Sequence, residues 1–278
     1  MQTSGPSPVP RRFERILVAS DLGARSDRAL DRARQLADAW QAALLVVHAM
    51  PRTAESPEPA RQRIERELGR EVPAAAIHVL EGEPVDAILA VARRERCDLI
   101  VLGDQGGPAV QPMAGSTTQA LARKAPCSLL VVKRRPHGAY RKVLVGTDLT
   151  AESRQGLETA TALFPLAGFT LLHALDIPYE SLWLAPNRRG ELLRMERTII
   201  EAFAGEARLD PELRERLELV VAHGHPETML GERALEHDHD LVVIGAYRRG
   251  AAFHLLLGGT TGRIVQLAPS DVLVVRCP

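Results

Sequence analysis

Cysteine is scarce in this chain: Cys97, Cys127 and Cys277 are the only three, and no two of them stand in Cys-x-x-Cys spacing. An odd, dispersed set supports neither a disulfide framework nor a zinc ribbon, so the thiols read as buried or incidental. Excess charge of one sign is also missing, with 35 Lys and Arg against 35 Asp and Glu. Binding to a polyanion is driven by clustered cations, so nucleic acid is not expected as a partner. No apolar run approaches the roughly 20 residues that cross a bilayer, and Met1 to Arg12 is polar and proline-rich without an apolar signal core. The expectation is a cytoplasmic protein with no membrane partner. Catalytic signatures are lacking as well. There is no P-loop, no Gly-x-Gly-x-x-Gly after the first apolar run, no Gly-x-Ser-x-Gly elbow and no paired-carboxylate motif, so the chain is not expected to be an enzyme, slow ATP hydrolysis being left open.

What is present is a duplicated globular chain. Its 278 residues are 45% hydrophobic and 25% charged, which excludes wholesale disorder and suits two domains. Arg15-Ile16-Leu17-Val18-Ala19-Ser20-Asp21-Leu22 returns as Lys142-Val143-Leu144-Val145-Gly146-Thr147-Asp148-Leu149. Val47-His48-Ala49 returns as Leu172-His173-Ala174, and Gly82-Glu83-Pro84 as Gly224-His225-Pro226. Asp98 to Gly103 matches Asp240 to Gly245, and Ala125-Pro126 with its following Leu129 to Lys133 matches Ala268-Pro269 with Val272 to Arg276. Blocks kept in the same order define two copies, 13–136 and 137–278.

The apolar runs are continuous rather than alternating, as in strands buried on both faces. Between them lie stretches with helical spacing, such as Leu30, Ala33, Leu36 and Ala37, then Leu157, Ala160 and Leu163. Ser26 and Ser153 stand where helix N-caps are expected, and Asp86 to Arg94 and Glu227 to Glu236 read as later helices. Each copy is therefore an open α/β domain of about five parallel strands with helices on both faces. Residues 134–139 form a short charged, Pro- and Gly-containing linker, which favours a pseudo-twofold pair within one chain and leaves association into a homodimer open. The closing strands, Leu129 to Lys133 and Val272 to Arg276, have edges that can satisfy one another. The second copy carries an insertion containing Pro178, Trp183 and Pro186 and an apolar-charged helix at Leu192 to Phe203.

In such sheets ligands sit beyond the carboxyl ends of the strands. Asp21 follows the first strand, His48-Ala49 end the second, Gly103 ends the fourth, and Gly115-Ser116-Thr117 precede a helical run. A glycine turn into a helix offers free backbone N–H groups for phosphate, and an aspartate can accept from a ribose hydroxyl. The plainer alternative is a simple helix start at Gly115-Ser116 and a cap at Asp21.

On the strength of Val18 to Asp21, Val47 to Ala49, Gly82 to Pro84, Leu102-Gly103, Gly115 to Thr117 and Ala125 to Cys127, nearly the whole of 13–278 resembles the universal stress protein family in its tandem form. The resemblance implies sheets of order 3-2-1-4-5, pairing of domains through their last strands, and an ATP site, with or without Mg, in one branch of the family. Carried onto this chain, the first-copy site comprises Ser20 and Asp21, Ala49 against the adenine, Leu102 and Gly103 at the strand end, and Gly106, Gly115, Ser116 and Thr117 on the phosphates. Eight residues separate Gly106 from Gly115, one fewer than the family pattern, and Pro108 and Pro112 stiffen that loop. In the second copy Arg248 replaces a glycine and Gly259 a hydroxyl, although Gly258 and Thr260 remain, so a degenerate site is expected there. The leading expectation is a stress-response or regulatory protein binding an adenine nucleotide in its first domain. The rival is a nucleotide-independent interaction module that takes a protein or a small apolar ligand.

Two further constellations carry other chemistry. His223, His225, His237 and His239 form two His-x-His pairs, but they bracket a helix and should lie at its opposite ends, so no metal site is expected. His48 and His173 recur at one strand position, where a packed, hydrogen-bonded ring is the expectation rather than a general base.

Overall fold

The computed structural model describes residues 13–51, 56–68, 76–104, 117–175, 186–246 and 259–276. The first copy runs β1 (Arg15–Ala19), α1 (Ala24–Trp40), β2 (Ala43–Met50), α2 (Glu58–Leu68), β3 (Ile77–Glu81), α3 (Pro84–Arg94), β4 (Leu99–Gly103), α4 (Thr117–Lys124) and β5 (Ser128–Val132). The second runs β6 (Lys142–Thr147), α5 (Ala151–Leu163), β7 (Gly168–Leu175), α6 (Pro186–Glu206), α7 (Pro211–Arg216), β8 (Glu218–His223), α8 (Pro226–Glu236), β9 (Leu241–Ala246), α9 (Thr260–Leu267) and β10 (Asp271–Arg276). The helix expected from Leu192 is the latter part of α6.

Each half has the strand order 3-2-1-4-5, all parallel, and the two halves are fused rather than merely packed. Ten strands form one sheet, β3-β2-β1-β4-β5-β10-β9-β6-β7-β8. The join is antiparallel, with Leu129, Leu130 and Val131 opposite Val274, Leu273 and Val272. Two last strands with open edges meet across a pseudo-twofold axis, and pairing satisfies N–H and C=O groups that would otherwise stay exposed.

Strand side chains alternate between two cores. Ile16, Val18, Leu99 and Val101 face α1 and α2, while Leu17, Ile100 and Leu102 face α3 and α4. In the second half α5, α6 and α7 cover the first face, and α8 and α9 the other. Both cores run without a break through the joined sheet, which is why its central strands read as continuous apolar runs while the edge strands β3 and β8 are only partly buried.

Among the described residues, four of the six Phe, Trp and Tyr side chains meet at the seam. Phe13 and Trp40 from the first half meet Phe164 and Tyr140 from the second in a chain of rings with centroids 5.3–5.7 Å apart. Trp40 Nε1 donates to the Leu163 carbonyl at 3.1 Å. Each such ring pair adds about 0.5–1.5 kcal/mol beyond burial, so the seam is held by specific packing as well as by the sheet.

Ser26 and Ser153 are not N-caps. α1 starts at Ala24 after Gly23, and α5 at Ala151 after Thr150, whose side chain accepts from the Ser153 N–H. Both serines occupy the third helical position and donate backward, Ser26 to the Gly23 carbonyl at 2.8 Å and Ser153 to that of Thr150 at 3.0 Å. Serine has the same local hydrogen-bonding capacity on either side of a helix boundary, so its type alone misplaces the start by a turn.

Candidate functional site

A cleft of about 270 Å³ opens at the carboxyl ends of β1, β2 and β4. Its floor is apolar, with Ala19, Val47, Ala49 and Leu102, and Pro84 and Ile88 wall one side from successive turns of α3. Ser20, Asp21, Arg25, Ser26, Gly103 and Thr117 supply its polar groups and backbone. Ser20, Asp21, Ala49, Leu102, Gly103 and Thr117, singled out from sequence, thus share one cavity. Gly106, Gly115 and Ser116 lie outside the described residues, as do Pro108, Pro112, Trp183, Arg248, Arg249, Gly258 and Cys277.

The β1–α1 turn is shaped by its own side chains. The Leu22 N–H donates to Ser20 Oγ at 3.1 Å, and that oxygen lies 3.2 Å from Ser26 Oγ. The Gly23 N–H donates to Asp21 Oδ1 at 2.9 Å. Leu22 has φ of 59°, a left-handed conformation unusual for a branched residue. The second half repeats the device. Thr147 Oγ1 accepts from the Leu149 N–H at 2.9 Å and lies 2.8 Å from Ser153 Oγ, and Leu149 has φ of 63°. The hydroxyl and the aspartate therefore build the turn in both halves, and the cleft is where that turn faces outward. Ser20 is buried, whereas Asp21 is exposed at the rim.

Gly103 also has a packing job. A Cβ there would come within 2.4 Å of the Arg25 carbonyl oxygen, and at its counterpart Gly245 within 2.5 Å of the Glu152 carbonyl oxygen. No side chain fits where the first turn of α1 or α5 presses on the end of β4 or β9.

His48 and His173 point away from this chemistry. Nδ1 of His48 donates to the Ser20 carbonyl at 2.8 Å, and Nδ1 of His173 to that of Thr147 at 2.9 Å. Each ring braces the first-strand end of its own half from the α1 or α5 side of the sheet, opposite the face that carries Val47 and Ala49. The His-x-His pairs lie at the two ends of α8, His225 before Pro226 and His237 after Glu236. His239 is buried, with Nε2 3.2 Å from Thr170 Oγ1.

Sequence reasoning missed Ala19, Arg25, Ser26, Val47, Pro84 and Ile88 in the cleft. The last two were legible as an i, i+4 pair on the inner face of a helix; Arg25 carried no such sign. The second half differs at the matching wall. Gly146 stands where the first half has Ala19, and a Cβ there would come within 2.9 Å of Leu230; Arg263 pairs with the buried Glu227 at 2.5 Å, tying α9 to α8. Among the described residues no helix is long and apolar enough to cross a membrane, and no cluster of metal-ligating side chains occurs.

A doubled open α/β unit with a cleft at the carboxyl ends of its first, second and fourth strands places the molecule among the open, doubly wound α/β folds. Within that class, the model of the universal stress protein family matches residues 12–133 and again 139–276. The chain belongs to the universal stress protein family. It shares 36% identity over 136 residues with a universal stress protein of Thermus aquaticus, spanning 44% of this chain and 99% of that one. A universal stress protein of Mycolicibacterium smegmatis is 26% identical over 294 aligned positions, 94% of this chain and 96% of the other. The crystal structure of a universal stress protein from Archaeoglobus fulgidus superposes with a TM-score of 0.65 at 16% identity, covering 94% and 98% of the two chains, a likeness of fold.

Proposed function

We propose that the first half binds an adenine nucleotide, ATP with or without Mg, and that the protein works as a stress-response or regulatory binding module in the cytoplasm rather than as a catalyst. The convergence of Ser20, Asp21, Ala49, Leu102, Gly103 and Thr117 on one cleft supports this reading most directly. Val47 and Ala49 offer an apolar surface to a purine, Asp21 an acceptor at the rim for a sugar hydroxyl, and Thr117 a hydroxyl at the start of α4 for phosphate. Gly106, Gly115 and Ser116 would complete the phosphate contacts. Occupancy should be about one nucleotide per chain, since the second half has Arg248 in place of a glycine and no hydroxyl at Gly259.

Calorimetry with ATP tests this. Asp21→Ala should weaken ATP roughly tenfold by removing one charge-assisted acceptor, while Asp148→Ala leaves the affinity unchanged. No heat from wild-type protein at millimolar ATP would refute the proposal. Uptake of a small apolar ligand by the same Val47–Ile88–Leu102 surface would then favour the nucleotide-independent reading.

A further inference from the structure

Next to the cleft, and sharing Arg25 with it, lies a smaller hollow of about 130 Å³ lined by Arg25, Arg28, Asp104, Val132 and Lys133. That volume is several times the ~30 Å³ share of one water, enough for a phosphoryl group. Three cationic side chains face one carboxylate there. Arg25 and Arg28 are exposed. Arg25 Nη1 donates to the Asp104 carbonyl at 3.3 Å, and Arg28 engages none of the described residues. Lys133 Nζ donates to the carbonyls of Gln266 at 3.1 Å and Ala268 at 2.7 Å, which uses two of its three N–H groups. Burial pushes its pKa down, and Asp104 and Asp271 work against that shift. An anion in the hollow would relieve the same cost.

The duplication supplies an internal control. Gly103 abuts the Arg25 carbonyl as Gly245 abuts that of Glu152, so Arg25 and Arg28 correspond to Glu152 and Gln155. Lys133 corresponds to Arg276, whose guanidinium is bound to the Ala122 carbonyl, and Asp104 to the uncharged Ala246. The second half therefore sets one cation against one carboxylate where the first gathers three cations. The helix does not require arginines at these positions, and Arg25 in the first turn opposes its dipole. Their presence on one copy, at the wall shared with the cleft, calls for a ligand-based reason.

We propose that this hollow receives the distal phosphates of the nucleotide held in the cleft, so that Arg25, Arg28 and Lys133 make the site select a triphosphate or longer chain over a monophosphate. The inference rests on the nucleotide reading of the cleft. Lys133 is itself anchored by the segment joining α9 to β10, so the phosphate site is assembled from both halves of the chain.

The test is calorimetry on the full chain with AMP, ATP and inorganic tripolyphosphate, comparing wild type with Arg28→Gln, since Arg28 lines the hollow but not the cleft. That variant carries the residue α5 already bears at the matching position, and an unchanged circular dichroism spectrum checks its fold. Wild type should bind ATP about tenfold or more tighter than AMP, and the variant should lose that advantage while keeping AMP affinity within about twofold. Equal ATP affinity in the two proteins would overturn the proposal, and so would a parallel loss of AMP binding, because the hollow would then not read phosphate number. If wild type binds neither nucleotide, the nucleotide reading fails separately. Tripolyphosphate then decides for the hollow: binding that the variant loses retains an anion site, and no binding overturns that as well.

Discussion

Replacing Asp271 should do more damage than any other single polar substitution at the seam. This residue opens β10 and is 1% exposed. Its Oδ1 accepts the N–H groups of Lys133 at 2.8 Å and Arg134 at 3.0 Å, and its Oδ2 accepts the Tyr140 hydroxyl at 2.6 Å. Arg32 Nε, itself buried, lies 3.7 Å from Oδ2. The Arg32 guanidinium stacks 4.1 Å from the Tyr140 ring centre and donates to the Gly138 carbonyl at 2.7 Å. One carboxylate from the second half thus holds the end of β5, the linker and α1. Asp271→Ala leaves three donors without an acceptor and a buried guanidinium without its counter-charge. Removing one partner of a buried pair costs about 3–5 kcal/mol, a large part of a typical total stability of about 5–15 kcal/mol. Tyr140→Phe forfeits one charge-assisted hydrogen bond, about 1.5–3 kcal/mol. Guanidinium unfolding followed by circular dichroism and Trp fluorescence gives both values from the midpoint at constant slope. A loss below about 1 kcal/mol for Asp271→Ala would refute the reasoning. The same cluster makes an alkaline prediction. Burial first, and then the Asp271 charge, hold the Tyr140 hydroxyl protonated well above its ordinary 10.0. Above that value the unfolded chain releases this proton while the folded one keeps it, so stability falls with rising pH by up to about 1.4 kcal/mol per unit. Tyr140→Phe should lack that component, and an identical slope in both proteins would count against it.

Gly103→Ala and Gly245→Ala should each cost about 1–3 kcal/mol and lower the melting temperature by several degrees, because the added Cβ meets a helix carbonyl; unchanged melting would show that the glycines serve something other than packing. Burial is the first cause holding the His239 pKa below 6.5, so the unfolded chain takes up a proton there that the folded one refuses. Stability should therefore fall as pH drops below about 6.5, less so in His239→Asn, and parallel denaturation curves for the two proteins at pH 5 and 7.5 would exclude this. Burial pushes the Cys97 and Cys127 thiols up to about 12. Cys97 is buried and Cys127 only partly so; in a Cys127→Ser/Cys277→Ser background Cys97 should react with a disulfide reagent at pH 8 only after unfolding, and rapid native labelling would contradict its burial.

The duplication and the α/β class were written in local pattern. Arg15 to Leu22 and Lys142 to Leu149 announce a strand followed by a hydroxyl and an aspartate, and the structure uses both copies alike. Even the pairing of the two last strands was legible, since each copy ends on an apolar strand with one open edge. The candidate site was legible as residue types at strand ends, because in a parallel sheet those ends gather on one side whatever the loops do. The competing uses of those residues were not. Ser20 supports the left-handed Leu22, and Gly103 makes room for the Arg25 carbonyl; only the close approach of α1 to β4 exposes that second job.

Beyond that, tertiary structure decided what distant segments do together. Asp271 reads as an ordinary polar residue before a strand until the antiparallel join brings it against Lys133, Arg134 and Tyr140, more than 130 positions away in the chain. Arg25, Arg28 and Lys133 are unremarked surface cations until β4, β5 and α1 meet around one hollow. Hydrophobic periodicity is set by neighbours a few residues apart, so sequence alone determined the alternation of strands and helices and its repetition, though not every element or boundary. Buried charge networks and mixed-origin cavities depend on which edges pair and in what register, and that was decided only when the ten strands closed into one sheet.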